Sequence, residues 1–167
     1  MTTMVNPTIV QTSFRGRFDD GTQVTATWQA NLNTNWSQAV DTTLRVRFIV
    51  SQTDGGANQD LAHNYKLKFQ KNGAGGFVDV ATQGATSAAM RYANSSNITD
   101  NEATTELLAG ALTFQAGVVD ENGDTGTLTW ASGATRETEL EFVVQVYSGQ
   151  VVNNDTIELR VYETDDT

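Results

Sequence analysis

The chain has 167 residues, 20 acidic against 10 basic side chains, a formal charge of −10 and no cysteine. That length suits one domain able to bury roughly 70% of its unfolded surface without disulfide or metal. The charge opposes nucleic-acid binding, which needs clustered Lys and Arg, and thiol chemistry is excluded. No apolar run approaches the ~18 residues of a membrane span. Met1 to Gln11 lacks the basic-then-apolar order of a signal peptide, so none is expected. Asn-x-Ser/Thr triplets at Asn35, Asn94, Asn97 and Asn154 read as turn sequence.

In chain order, residues 1–7 read as a polar extended arm ending at Pro7, and residues 8–163 as one β domain. A first strand over 8–18 sets Val10, Thr12, Phe14 and Phe18 on one face, and Asp19, Asp20 and Gly21 supply a turn. A second strand is predicted over 22–30 with Val24, Ala26 and Trp28 inward, followed by an Asn-rich loop, 31–41, that holds Trp36. Strand three, 43–51, alternates Leu44, Val46, Phe48 and Val50 with Arg45, Arg47 and Ile49. A glycine-bearing loop, 53–60, leads to a strand in which Tyr65, Leu67 and Phe69 alternate with Lys66, Lys68 and Gln70. Asn72 to Gly76 is a turn, and 77–80 resumes the pairing. Weaker strands are predicted at 84–93 and 111–119, with residues 100–110 extended apart from one helical turn. Asp120 to Asp124 reads as a hairpin turn before a strand at 127–130.

The strongest alternation comes last. Leu140, Phe142, Val144 and Val146 share one face of 139–147, and Ile157, Leu159 and Val161 share one face of 156–163. With a polar connector at 148–155, these two runs read as an antiparallel hairpin with one dry and one wet face. Residues 164–167 form an acidic tail. The expectation is an all-β protein, an antiparallel two-sheet sandwich of jelly-roll or Ig-like type with about eight to ten strands.

Charge placement follows the same period. Arg15/Arg17, Arg45/Arg47 and Lys66/Lys68 are basic pairs spaced by two, and Glu139/Glu141 is their acidic counterpart. They are read as cross-strand ion pairs on wet faces, contributing about 0.2–1 kcal/mol each.

Chemistry is harder to find. His63, the one histidine, stands at the start of a strand with no G-x-S-x-G motif near it, and is read as structural. Zinc needs more Cys or His than this chain holds. For calcium the only arrangement to weigh is Asp120, Asn122 and Asp124, which lacks the spacing and distant Glu of an EF-hand and matches ordinary turn composition. No catalytic residue, metal or cofactor is expected, and the chain reads as a non-enzyme. Trp28 and Trp130 are expected in the core. Trp36 is the tryptophan left for a surface role, and 94–101 reads as a surface loop.

An ordered set of segments resembles a β-sandwich domain that recurs in structural proteins of tailed bacteriophages. The segments are Arg45–Phe48, Tyr65–Gly73 with Phe77–Val80, Thr104–Leu108, Leu112–Gly117, Thr138–Phe142 and Asp155–Val161. The resemblance implies a virion structural protein, made in the host bacterial cytoplasm, with no catalytic residues to carry over. It implies most directly a capsid decoration or cement protein on the outer head surface, with the major capsid protein as partner. A homotrimer at three-fold positions, without nucleic acid or membrane, would then stabilise the shell. Thr2, Thr3, Met4, Val5, Asn6 and Pro7 are the candidate bridging arm, because a polar extended segment is best ordered against a partner. The alternative is a receptor- or glycan-binding module of a tail, neck or head fibre, with Trp36 beside Asn31, Asn33 and Asn35 as its support.

Overall fold

The structure is a computed structural model that describes residues 9–52, 62–131 and 135–164. The predicted loop at 53–60 and most of the acidic tail lie outside the described residues. Among those described, local alternation becomes eleven strands, with no α-helix and one 3-10 turn at Ser148–Gln150. The strands are β1 (Ile9–Phe18), β2 (Thr43–Gln52), β3 (Ala62–His63), β4 (Tyr65–Lys71), β5 (Val78–Asp79) and β6 (Met90–Tyr92). They continue with β7 (Thr113–Phe114), β8 (Val119–Asp120), β9 (Leu128–Thr129), β10 (Arg136–Val146) and β11 (Ile157–Glu163).

The larger sheet runs β1-β2-β10-β6, antiparallel throughout, and β7 and β8 add to β10 in parallel. A second antiparallel sheet runs β11-β4-β5, and β3 pairs with β9. The fold is therefore all-β and sandwich-like, as expected. Leu44, Val46, Phe48, Leu140, Phe142 and Val144 from the larger sheet meet Tyr65, Leu67 and Phe69 from the smaller in one apolar cluster. Phe48 and Phe142 pack edge to face at 6.0 Å, an arrangement that adds to simple burial. Trp130 is buried as expected, and its indole N–H donates to the Tyr65 hydroxyl at 2.9 Å, so the polar end of the ring is satisfied.

Several local expectations are corrected. The two most strongly alternating runs do not form a hairpin: β10 pairs with β2 over ten positions, and β11 pairs with β4 in the other sheet. The connector between them crosses from one layer to the other. The predicted strand at 22–30 is absent apart from one bridge, Arg17 to Trp28. Here Arg17 takes the carbonyls of Gln23 and Ala26 at 2.6 and 2.8 Å and coils the segment, leaving Val24 exposed. Residues 120–124 make a turn, but the strands on either side part company, β8 to β10 and β9 to β3. Residues 100–110 hold no helical turn and touch residues 117–118 through a bridge at Ala103. In β1 a bulge between Gln11 and Ser13 inserts Thr12, which moves Val10 to the face opposite Phe14.

Phe142 is fully buried between the sheets. Phe142→Ala should cost about 3–5 kcal/mol of stability. Urea denaturation should show this as a lower midpoint with little change in slope.

Candidate functional site

Two features stand apart from the core: a charged layer behind β10 and an open groove beside β11. β10 is buried on both faces. Its second face carries Glu137, Glu139 and Glu141, all buried, so the predicted wet face of this strand is not wet. The cross-strand pairing itself is present. Register sets Glu141 opposite Arg47 and Val143 opposite Arg45, while Arg17 reaches in from β1. Arg47 Nη1 donates to Glu139 Oε2 at 2.7 Å, and its Nε donates to Glu141. Glu141 also faces Arg45 Nη1 at 3.2 Å and Arg17 Nη1 at 3.6 Å. Burial pulls the Arg17 guanidinium down to about 10; Glu141 opposes the fall, and Arg45 and Arg47 add to it.

Irregular chain seals this layer because the same charges bind its backbone. Glu139 Oε1 accepts the Leu107 and Leu108 N–H groups at 2.8 and 2.7 Å, and Arg47 donates to the Thr105 carbonyl at 2.6 Å. Gln23 ties the layer together, accepting from Arg47 Nη2 at 2.8 Å and donating to Glu102 at 2.7 Å. Residues 94–101, expected as a surface loop, are latched to the first turn: Ser95 Oγ donates to Asp19 Oδ1 at 2.6 Å and Asn97 Nδ2 to the Asp19 carbonyl at 2.8 Å. The basic and acidic pairs were visible at a spacing of two; Gln23 and Glu102 carried no local signal. Ion pairs with this degree of burial fix an arrangement more than they add net stability.

The groove opens between β1 with the loop at 35–40 on one side and β11 with the loop at 151–156 on the other, and encloses about 1140 Å³. Phe14, Trp36, Val46, Phe48, Ile157 and Leu159 supply apolar lining. Trp36 is half-buried, 6.5 Å from Phe14, and donates through Nε1 to Gln38 at 3.3 Å. One side of its ring closes against Gly16, where a Cβ would lie 2.5 Å from the ring. At the opposite wall Asp155 accepts from Asn72 Nδ2 at 2.7 Å and from Val152 N–H at 2.8 Å, and faces Lys71 Nζ at 2.8 Å. These contacts, the Asn72 bond first, hold its carboxyl down to about 2.

The other candidates fall in separate places. Thr2, Thr3, Met4, Val5, Asn6 and Pro7 lie outside the described residues. Asp120, Asn122 and Asp124 each use one side-chain oxygen within their own turn. Asp120 Oδ1 accepts the N–H groups of Asn122 and Gly123 at 2.9 and 2.7 Å, Asn122 Oδ1 accepts from Asp124, and Asp124 Oδ1 accepts from Gly126. Burial raises the Asp120 carboxyl above its usual range, and the N–H bonds oppose that rise. Among the described residues no group of three or more His, Asp or Glu side chains is placed to hold a metal ion. His63 is buried, with Nδ1 against the Glu163 carboxylate. Trp28, expected in the core, is only partly buried and lies under the guanidinium groups of Arg15 and Arg17 at 4.5 and 4.4 Å.

No protein-family model matches the chain, and neither a curated protein nor a solved structure matches it. Among the described residues no helix is long and apolar enough to cross a membrane.

Glu141→Ala should remove about 3–5 kcal/mol, because it leaves Arg17 with no ion-pair partner among the described residues and takes one of two carboxylates from Arg45 and Arg47; calorimetry or urea titration checks this. Asp120→Asn keeps an acceptor for the turn and sheds a buried charge, so it should unfold no earlier than the parent. Asp120→Ala orphans the N–H groups and should cost about 1–3 kcal/mol. The Asp155 contribution is present above its ordinary pKa of 3.8 and lost as pH falls toward about 2. Hydrogen-exchange protection of the Val152 amide should fall in that window and stay flat in Asp155→Asn.

Proposed function

We propose that this chain is a non-enzymatic structural protein of a tailed-bacteriophage virion, a decoration or cement protein that docks on the outer face of the head. The observation that carries the reading is the groove and its rim. Val152, 74% exposed, and Val40 stand at its mouth beside half-buried Trp36, an adhesive surface on a body whose buried charges are engaged internally. The phage-like segment order supplies the identity of the partner, the major capsid protein.

The mechanism is mechanical. Each copy buries surface against neighbouring capsid subunits, and a stable contact needs about 1,000 Å² or more in total. Many copies, arranged as trimers, then oppose the outward pressure of packaged DNA without making or breaking bonds. Arg17, Arg45, Arg47, Glu139 and Glu141 keep the loops behind β10, on the face away from the groove, in one arrangement, so docking carries no ordering cost there.

The purified protein should bind expanded heads lacking it, saturably, and raise the temperature at which they rupture. Val152→Asp should weaken that binding about tenfold or more, equivalent to about 1.4 kcal/mol. A second reading, glycan binding, is favoured by Asn35, Asn153 and Asn154 around Trp36, although Gly16 closes one side of the ring. Saturable quenching of Trp36 fluorescence by an oligosaccharide, with no attachment to heads, would replace the first reading with the second.

A further inference from the structure

The two sheets are unequal. Facing the smaller sheet, β1 has no strand opposite it among the described residues, and the groove occupies the place such a strand would fill. The free edge of β11 borders that place. Its hydrogen-bonding parity follows from its two ends. Asn72 N–H donates to the Thr156 carbonyl and Thr164 N–H to the Asn64 carbonyl, so even-numbered residues of β11 face β4. Odd-numbered residues face the groove, and Val161 confirms this by donating its N–H to Gln11 Oε1 at 2.9 Å. Ile157 and Leu159 also direct N–H and C=O outward, and neither has a hydrogen-bond partner on that side among the described residues. An apolar trough with unpaired backbone along one wall suits a polypeptide strand: a second backbone satisfies the edge in register, and alternate side chains fill the trough.

We propose that the groove receives the N-terminal segment, Met1 to Thr8, of a second copy of this chain, added to β11 as an extra strand at Ile157 and Leu159. Three observations select this occupant. Eight residues precede Ile9, and β1 begins at the end of the groove that Gln11 and Val161 mark. Eight extended residues span at most about 26–29 Å, which bounds the reach of this segment. β1 runs into the groove from Gln11 toward Phe14, so a segment ahead of Ile9 would have to double back to enter its own groove. Third, residues 1–14 contain no charged side chain in a chain with thirty. The groove is matched to that: Glu158 is paired with Arg160 at 2.7 Å, and Asp155 with Lys71. A segment without charged side chains enters without stranding one of them. The inference goes beyond docking on a head, because it concerns contact between copies and needs no shell.

The chain has no cysteine, so introduced thiols report alone. Full-length Thr3→Cys and Glu158→Cys proteins, mixed and treated with a short bis-maleimide, should form a covalent dimer that contains one of each. Excess synthetic peptide of residues 1–8 should abolish that product. Circular dichroism and urea midpoints equal to the parent establish that both variants fold. A doubly substituted protein that instead closes a crosslink within one chain, at concentrations where no dimer forms, would overturn the second-copy occupant in favour of the chain's own arm. Absence of the mixed dimer, or a mixed dimer that persists with excess peptide, would overturn the groove as the arm's receptor. The experiment uses purified protein only, so failure to bind heads leaves its result intact, and a negative result here leaves head docking standing.

Discussion

The double burial of β10 governs the rest of the molecule. One face of this strand is hydrocarbon and closes the sandwich; the other bears carboxylates that no solvent reaches. Buried carboxylates require partners, and the register with β2 supplies Arg45 and Arg47 while β1 adds Arg17. Those guanidinium groups retain unused donors, which take the carbonyls of Gln23, Ala26 and Thr105. The long stretches between strands are therefore tied down by charge where the chain makes few ladders. A protein with two-residue strands and long irregular segments keeps one shape because its third layer is ionic.

The local pattern told much about faces and little about partners. Alternation located β1, β2, β4, β10 and β11 to within one to three residues at each end, and identified Leu140, Phe142 and Val144 as a shared face. Period two says which side chains point together but is silent on which strand lies alongside, so two adjacent runs looked like a hairpin although they belong to different layers. Likewise, Arg and Glu at a spacing of two look the same whether water or the 102–108 segment lies above them. The stretch from Val24 to Trp28 alternates well enough for a strand, yet a single arginine from β1 claims two of its carbonyls. Trp36, left by the sequence for a surface role, is half-buried against Phe14, because a large apolar ring in an Asn-rich loop has to find cover. The groove beside it was not, since an edge strand is defined by what fails to pair with it, and no local spacing records that.

Internal neutralisation also shapes what the surface offers. Arg17, Arg45 and Arg47 are withdrawn from a chain that has only ten basic residues, so the exterior left to a partner is sparse in cations. Lys66 and Lys68 share Asp79, and Arg91 lies over Tyr147 at 4.4 Å. What remains for adhesion is mainly shape and apolar surface, which agrees with association through grooves and strand edges more than through long-range attraction.

Gly16 and Trp36 are twenty positions apart, yet they occupy one volume. The indole rests where any other side chain at position 16 would stand. Neither position can drift alone: a methyl group at 16 evicts the ring from its seat, and a smaller residue at 36 leaves the strand backbone bare. Across related chains the two should mutate in concert, which makes this pair a covariation marker for the groove wall even where overall similarity has faded.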